Sequence, residues 1–161
     1  GKMSAMAETI DLSVLWENAA VAVRLVQIAA YKDFEENARQ FGQAPRYYGL
    51  LGMIETNPGL SQTQLAGYLH LVRASIVPIL DKLSADGLVE RRLDPTDKRI
   101  RRLWLTPKGR KLMSKLSAVA QQHEARMFAG FSKGEKQALL QLLRRANANL
   151  SRNYESLESV A

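Results

Sequence analysis

The chain has 161 residues, 46% of them hydrophobic and 24% charged, with no cysteine and a formal net charge of +7. That size suits a single domain carrying an extension, and the apolar fraction belongs to a globular chain and not to a disordered one. Absence of cysteine excludes disulfides and thiolate metal sites, two histidines are too few for an imidazole-rich metal centre, and no run of 18 or more apolar residues offers a membrane helix.

Gly1-Lys2-Met3 lacks an apolar signal core, so the expected compartment is the cytoplasm. From there Ile10, Val14, Leu15, Val21, Leu25, Ile28, Ala29 and Phe34 recur at spacings of three and four, which predicts a helix over 8–38. Gly42 and Pro45 break the pattern, and Pro45 suits the first turn of a second helix, 45–56, that stops at Asn57-Pro58-Gly59. Ser61-Gln62-Thr63-Gln64 has the spacing of a capping box and opens a short helix over 62–68. A tight break at Leu69-His70-Leu71 leads into a helix over 72–86, closed by Gly87. Leu88–Leu93 and Ile100–Thr106 read as two strands joined by Asp94-Pro95-Thr96-Asp97-Lys98-Arg99, where Asp-Pro starts a type I turn. Thr106-Pro107 caps and starts a long helix to about Ala129, and Ser132-Lys133-Gly134-Glu135 is a second capping box before a last helix to about Tyr154.

The fold class expected is mainly α with a small β-hairpin, in three segments: 8–41, 42–106 and 107–157. The charge is localised. Between Leu88 and Lys111, nine basic residues face three acidic ones, a net of +6. A basic hairpin directly after two short helices is the order of a winged helix-turn-helix, whose second helix enters a major groove of double-stranded DNA while the hairpin reaches adjacent backbone or minor groove. In that arrangement Ile76, Ile79, Leu80 and Leu83 pack inward on Leu65, Leu69 and Leu88-Val89. Arg73, Ala74, Ser75 and Val77 are then the candidate base readers: arginine for guanine, serine for a base or phosphate, the aliphatic groups for a thymine methyl. Ser61, Thr63 and Gln64 suit phosphate contacts at a helix start, and Lys98, Arg99 and Arg101 suit them on the hairpin.

Asp94-Pro-Thr-Asp97-Lys-Arg99 followed by Leu103-Trp-Leu-Thr106 resembles the D-x-R-x-x-x-x-x-L-T wing signature of the MarR (multiple antibiotic resistance regulator) family. Leu80-Asp81-Lys82-Leu83, then Gly87-Leu88-Val89-Glu90-Arg91, is similar to that family's recognition-helix exit. The resemblance spans about 10–155. It implies a homodimer whose all-helical dimerisation arm is built from the first and last two helices, with Arg99 in the minor groove and Asp97 orienting it. It also implies a repressor of a nearby gene that leaves its pseudo-palindromic operator when a small, often phenolic or aromatic, ligand binds between arm and DNA-reading lobe. Two positions depart from the family. Val72 stands where a capping Asp is frequent, and Pro78 stands where a polar or basic residue is frequent, lacking an N–H and able to kink the helix.

A ligand pocket is expected beside the helix glycines Gly49 and Gly52, with Arg46, Tyr47, Tyr48 and Met53 near it and Trp16, Met113 and His123 closing it from the arm. The effector class this suggests is an aromatic acid, free or as its CoA thioester. No cofactor, metal or membrane partner is implied. An enzyme is the first rival, but the sequence has no phosphate loop, ligand cluster or nucleophile constellation of recognisable spacing. A non-specific architectural DNA binder and an effector-free regulator are the others. The first of these would bind any duplex alike, and the second would ignore every ligand.

Overall fold

The computed structural model describes residues 9–69 and 73–151, except for the side chains of Arg73 and Ala74. The chain runs α1 (Ser13–Glu17), α2 (Ala19–Asn37), α3 (Tyr48–Thr56), β1 (Leu60–Ser61), α4 (Gln62–Tyr68), α5 (Arg73–Ala85), β2 (Val89–Leu93), β3 (Arg101–Leu105), α6 (Pro107–Met127) and α7 (Lys133–Leu150).

Two predicted helices start differently from expectation. The single helix over 8–38 is divided at Asn18, which is extended (φ −97°, ψ 114°) and accepts a hydrogen bond from the Val21 amide as the N-cap of α2. Asparagine competes for backbone amides, so the periodicity on both sides continues while the backbone breaks. The helix expected from Pro45 begins instead as a 3₁₀ turn, Ala44–Tyr47, and becomes α-helical at Tyr48.

The wing is a sheet of three strands, not two, in the order β1-β3-β2. β1 is two residues long, paired antiparallel through Leu60↔Leu103 and Ser61↔Arg102, too short to carry a periodic signal. The β2–β3 hairpin runs in register from Val89↔Leu105 to Leu93↔Arg101. Ser61 opens α4 by the expected capping box: the Gln64 amide donates to Ser61 Oγ (3.1 Å) and the Ser61 amide donates to Gln64 Oε1 (3.0 Å). Thr106 caps α6, with Pro107 at its first position. At α7 the serine half of the box is formed, the Glu135 amide donating to Ser132 Oγ.

The core lies inside the winged lobe. Leu51 and Ile54 of α3, Leu65 of α4, Ile76, Leu80 and Leu83 of α5, Leu103 of β3 and Leu116 of α6 are fully enclosed. The inward face predicted for α5 is thus present, with Ile79 at its margin. α1, α2 and α7 bury no residue, while Val23 and Ile28 on α2 and Leu142 on α7 are about half-exposed. No helix among the described residues is long and apolar enough to cross a membrane. The break expected around His70 and Leu71, the helix start at Val72, and the last-helix end at Tyr154 lie outside the described residues.

Candidate nucleic-acid interface

The α4–α5 pair and the hairpin place most of the predicted contact residues on one lobe. Thr63 is exposed in the first turn of α4. Ser61 is buried, and its hydroxyl, like the Gln64 carbonyl oxygen, is engaged in the capping box. On α5, Ser75 is exposed and Pro78 presents an exposed ring, which offers no hydrogen-bond donor. Val77 is half-buried and packs against the core, leaving only part of its side chain exposed. Arg73 occupies the first position of α5; its side chain and that of Ala74 lie outside the described residues.

The hairpin tip is more closely built. Asp97 holds Arg99 by both carboxylate oxygens, Nε donating at 3.0 Å and Nη2 at 2.9 Å, while the Arg99 side chain stays 90% exposed. Hydrogen bonds from the Arg99 side chain and then its amide keep the Asp97 carboxyl below its ordinary range, and Asp97 raises the guanidinium in turn. Both groups are therefore charged at neutral pH, and Asp97 orients an exposed guanidinium within a pair that is neutral as a whole.

The run of positive charge is less free than its composition suggests. Arg91 pairs with Asp81 (2.7 Å), Arg92 with Glu90 (2.8 Å) and Arg102 with Asp94 (2.6 Å). Arg92 also lies over the Trp104 ring, 4.7 Å from its centroid. Lys108 and Arg110 donate to the carbonyls of Asp86 and Leu105. Lys98 and Arg101 are exposed and make no ion pair among the described residues. Asp94, expected only as the residue that starts the turn, is a buried carboxylate at the base of the tip that accepts from the Thr96 amide and hydroxyl; the Asp-x-Thr spacing of an Asx turn is the signal for this.

The two glycines of α3 have different surroundings: a Cβ built on Gly49 would meet nothing within 4 Å, whereas one on Gly52 would lie 3.7 Å from Met113 Cε. Met113 is buried in the core, and its Cε fills the space beside Gly52. Tyr47, Tyr48 and Met53 pack against the core, and Arg46 pairs with Glu35 at 3.6 Å. An open, mostly apolar groove of about 530 Å³ lies among α1, α2 and α6, lined by Trp16 and His123 with Leu15, Val26 and Met127. Its polar end is a cluster: His123 Nδ1 is 2.7 Å from Asp33 Oδ2, and Arg126 Nη2 donates to the same oxygen at 2.7 Å. Hydrogen bonds from Arg126 and then His123 pull the Asp33 carboxyl down to about 2. Neither Asp33 nor Arg126 has a local motif, since the cluster joins residues about ninety positions apart.

A family model described as "MarR family" matches residues 42–100. A protein of Thauera aromatica named for transcriptional regulation of the hcr operon is 35% identical over 124 residues, covering 76% of this chain and 75% of that protein. The chain belongs to the MarR family. Its structure is similar to that of the transcriptional repressor CouR bound to a 23-mer DNA duplex, with a TM-score of 0.80 and 28% identity over 86% of this chain and 99% of CouR. CouR bound to p-coumaroyl-CoA gives a TM-score of 0.74 at 27% identity, covering 86% of this chain and 98% of that one. The chain is accordingly a MarR-type, DNA-binding transcriptional regulator with a winged-helix fold, and not an enzyme.

Proposed function

We propose that this MarR-family regulator is a homodimeric repressor that reads a pseudo-palindromic operator and is released by a small aromatic effector. The observation that carries the reading is the Asp97–Arg99 pair, a pre-oriented guanidinium at the tip of a hairpin, 90% exposed. In the dimer, the two α5 helices enter successive major grooves about 34 Å apart. Arg73 and Ser75 read base edges from their first turn, and Thr63, Lys98 and Arg101 neutralise phosphates. Arg99 enters the minor groove, whose narrow A·T-rich stretches attract arginine. With Pro78 offering no donor and Val77 half-buried, discrimination rests on few α5 side chains and on the wing.

The effector reading rests on the groove among α1, α2 and α6, apolar along its length and polar at Asp33, His123 and Arg126. CouR, which shares the fold, carries p-coumaroyl-CoA in one of its structures. An aryl group against Trp16 with its polar substituent at His123 suits this lining. A ligand preferring one lobe spacing lowers DNA affinity by reciprocal coupling, typically about 5–150-fold.

Fluorescence anisotropy at physiological salt tests both halves. The intergenic duplex beside the gene should bind about a thousandfold more tightly than a scrambled copy. Hydroxycinnamates, benzoates or their CoA esters should reverse that binding. Equal affinity for both duplexes would favour an architectural binder, and silence from every effector an effector-free regulator.

A further inference from the structure

The wing tip carries the exposed cation, yet its loop belongs to no regular element, so something must fix its direction relative to α5. The candidate is the buried carboxylate of Asp94 at the end of β2. Its Oδ1 accepts from the Thr96 amide (2.8 Å), the Thr96 hydroxyl (2.6 Å) and the Asp97 amide (3.0 Å). Its Oδ2 accepts from Arg102 Nε on β3 at 2.6 Å. Arg102 does not stop there: its Nη1 donates to the Gly59 carbonyl at 3.0 Å, in the turn between α3 and β1. That turn is itself tied to the sheet, because the Gly59 amide donates to the Leu103 carbonyl at 2.9 Å. A single Asx turn uses one or two such bonds. Here both oxygens of one carboxylate are committed, to the loop on one side and to the sheet on the other.

We propose that Asp94 is a positioning residue for DNA binding: with Arg102 and the Gly59 carbonyl it clamps the wing loop to the three-stranded sheet and so aims Arg99. The path is continuous. The Arg99 guanidinium is held by Asp97, the Asp97 amide by Asp94, Asp94 by Arg102, and Arg102 by the Gly59 turn. Trp104 reinforces the same corner: a Cβ built on Gly59 would lie 3.4 Å from its ring. Gly59 has φ +84°, so any other residue there would strain the turn that offers the carbonyl. The inference rests on the proposed contact of Arg99 with DNA, and its test separates the two.

The experiment is a double-mutant cycle on the full chain, read by anisotropy on the preferred duplex across a salt series, with circular dichroism to fix the folded fraction. Arg99→Ala alone should lose about tenfold in affinity and lower the salt slope by about one. Asp94→Asn should lose a similar factor per folded dimer and lower the slope alike. In the Asp94→Asn background, Arg99→Ala should then cost less than about twofold, because the guanidinium is already misdirected. Full additivity of the two losses, or wild-type binding by Asp94→Asn, overturns the clamp. Wild-type binding by Arg99→Ala overturns the DNA-contact reading itself, and the clamp with it. Should Asp94→Asn fail to fold, Thr96→Val removes one of the four loop and sheet bonds and asks the same question, with about a threefold loss and the same non-additivity expected. Hydrogen exchange gives an independent readout: the 95–100 amides should exchange faster in either variant while those of α3 and α6 keep their rates, and unchanged wing exchange would count against the clamp.

Discussion

An arginine left nine-tenths exposed ordinarily samples many rotamers and loses that freedom on binding. Asp97 removes part of this cost before DNA arrives, although its own charge opposes the phosphates. The orientation gained and the repulsion incurred are both small at the surface, where water and salt screen exposed pairs, so the pair matters for where Arg99 points and little for the stability of the lobe. The Asp33 cluster is different in kind, because it joins α2 to α6 and is the polar end of the groove. Its carboxyl falls from an ordinary 3.8 to about 2 in the folded chain. A depressed folded value contributes stability that is complete above the unfolded value and is lost as pH falls through the folded one. Wild type should therefore be more stable than Asp33→Asn at pH 5, with the gap closing between about pH 4 and pH 2. Urea unfolding of both proteins across that range checks it; a gap that stays constant to pH 2 would assign the difference to lost packing and not to the carboxylate's charge.

At the scale of elements, the junction between the sheet and α6 is set by one glycine. A Cβ on Gly109 would stand 2.2 Å from the Leu88 carbonyl oxygen, which also accepts the Thr106 amide at 3.1 Å. Helix propensity alone would make Gly109→Ala stabilising by about 1 kcal/mol. Forcing a backbone carbonyl aside costs about 1–3 kcal/mol, and here also weakens the bond that starts α6. The clash wins, so Gly109→Ala should lower the unfolding free energy by at least about 1 kcal/mol. Gly134→Ala, in the first turn of α7 with only Ser132 Oγ within 4 Å, should raise it; urea melts of the two variants must move in opposite directions or the packing argument fails. This scale also marks what the sequence makes legible. Caps at Ser61, Thr106 and Ser132 and the hairpin around Asp94-Pro95 are local chemistry, and each is in place. Asn18 and β1 were missed because a side-chain cap and a two-residue bridge leave the surrounding periodicity unchanged. The glycines of α3 were ambiguous for the converse reason: a helix glycine signals either close approach or open space, and only the tertiary structure reveals Met113 beside Gly52 and nothing within 4 Å of Gly49.

At the scale of the molecule, the distribution of burial is lopsided. The winged lobe has a closed core, whereas α7 runs for 18 residues and buries none. Leu140, Leu142 and Leu143 are all more than a third exposed on it, as are Val23, Val26 and Ile28 on α2. Most of a helix's stability in a protein comes from packing its apolar face, so this stripe must be covered to hold α7. A second copy of the chain is the occupant that the proposed operator geometry requires, since two α5 helices about 34 Å apart need a common scaffold. Leu142→Asp should then separate the protomers, because burying an unpaired carboxylate in the interface costs several kcal/mol. Sedimentation at micromolar concentration should give a monomer, with helix content reduced by partial loss of α7. DNA affinity should fall by about 10²–10⁴, since each half-site is then bound without the linkage that makes the second contact intramolecular. The wing is untouched by this change, so the salt slope per protomer should be that of one wild-type half-site. A variant that remains dimeric and binds the full operator normally would place the interface elsewhere and leave the exposed face of α7 without a covering partner.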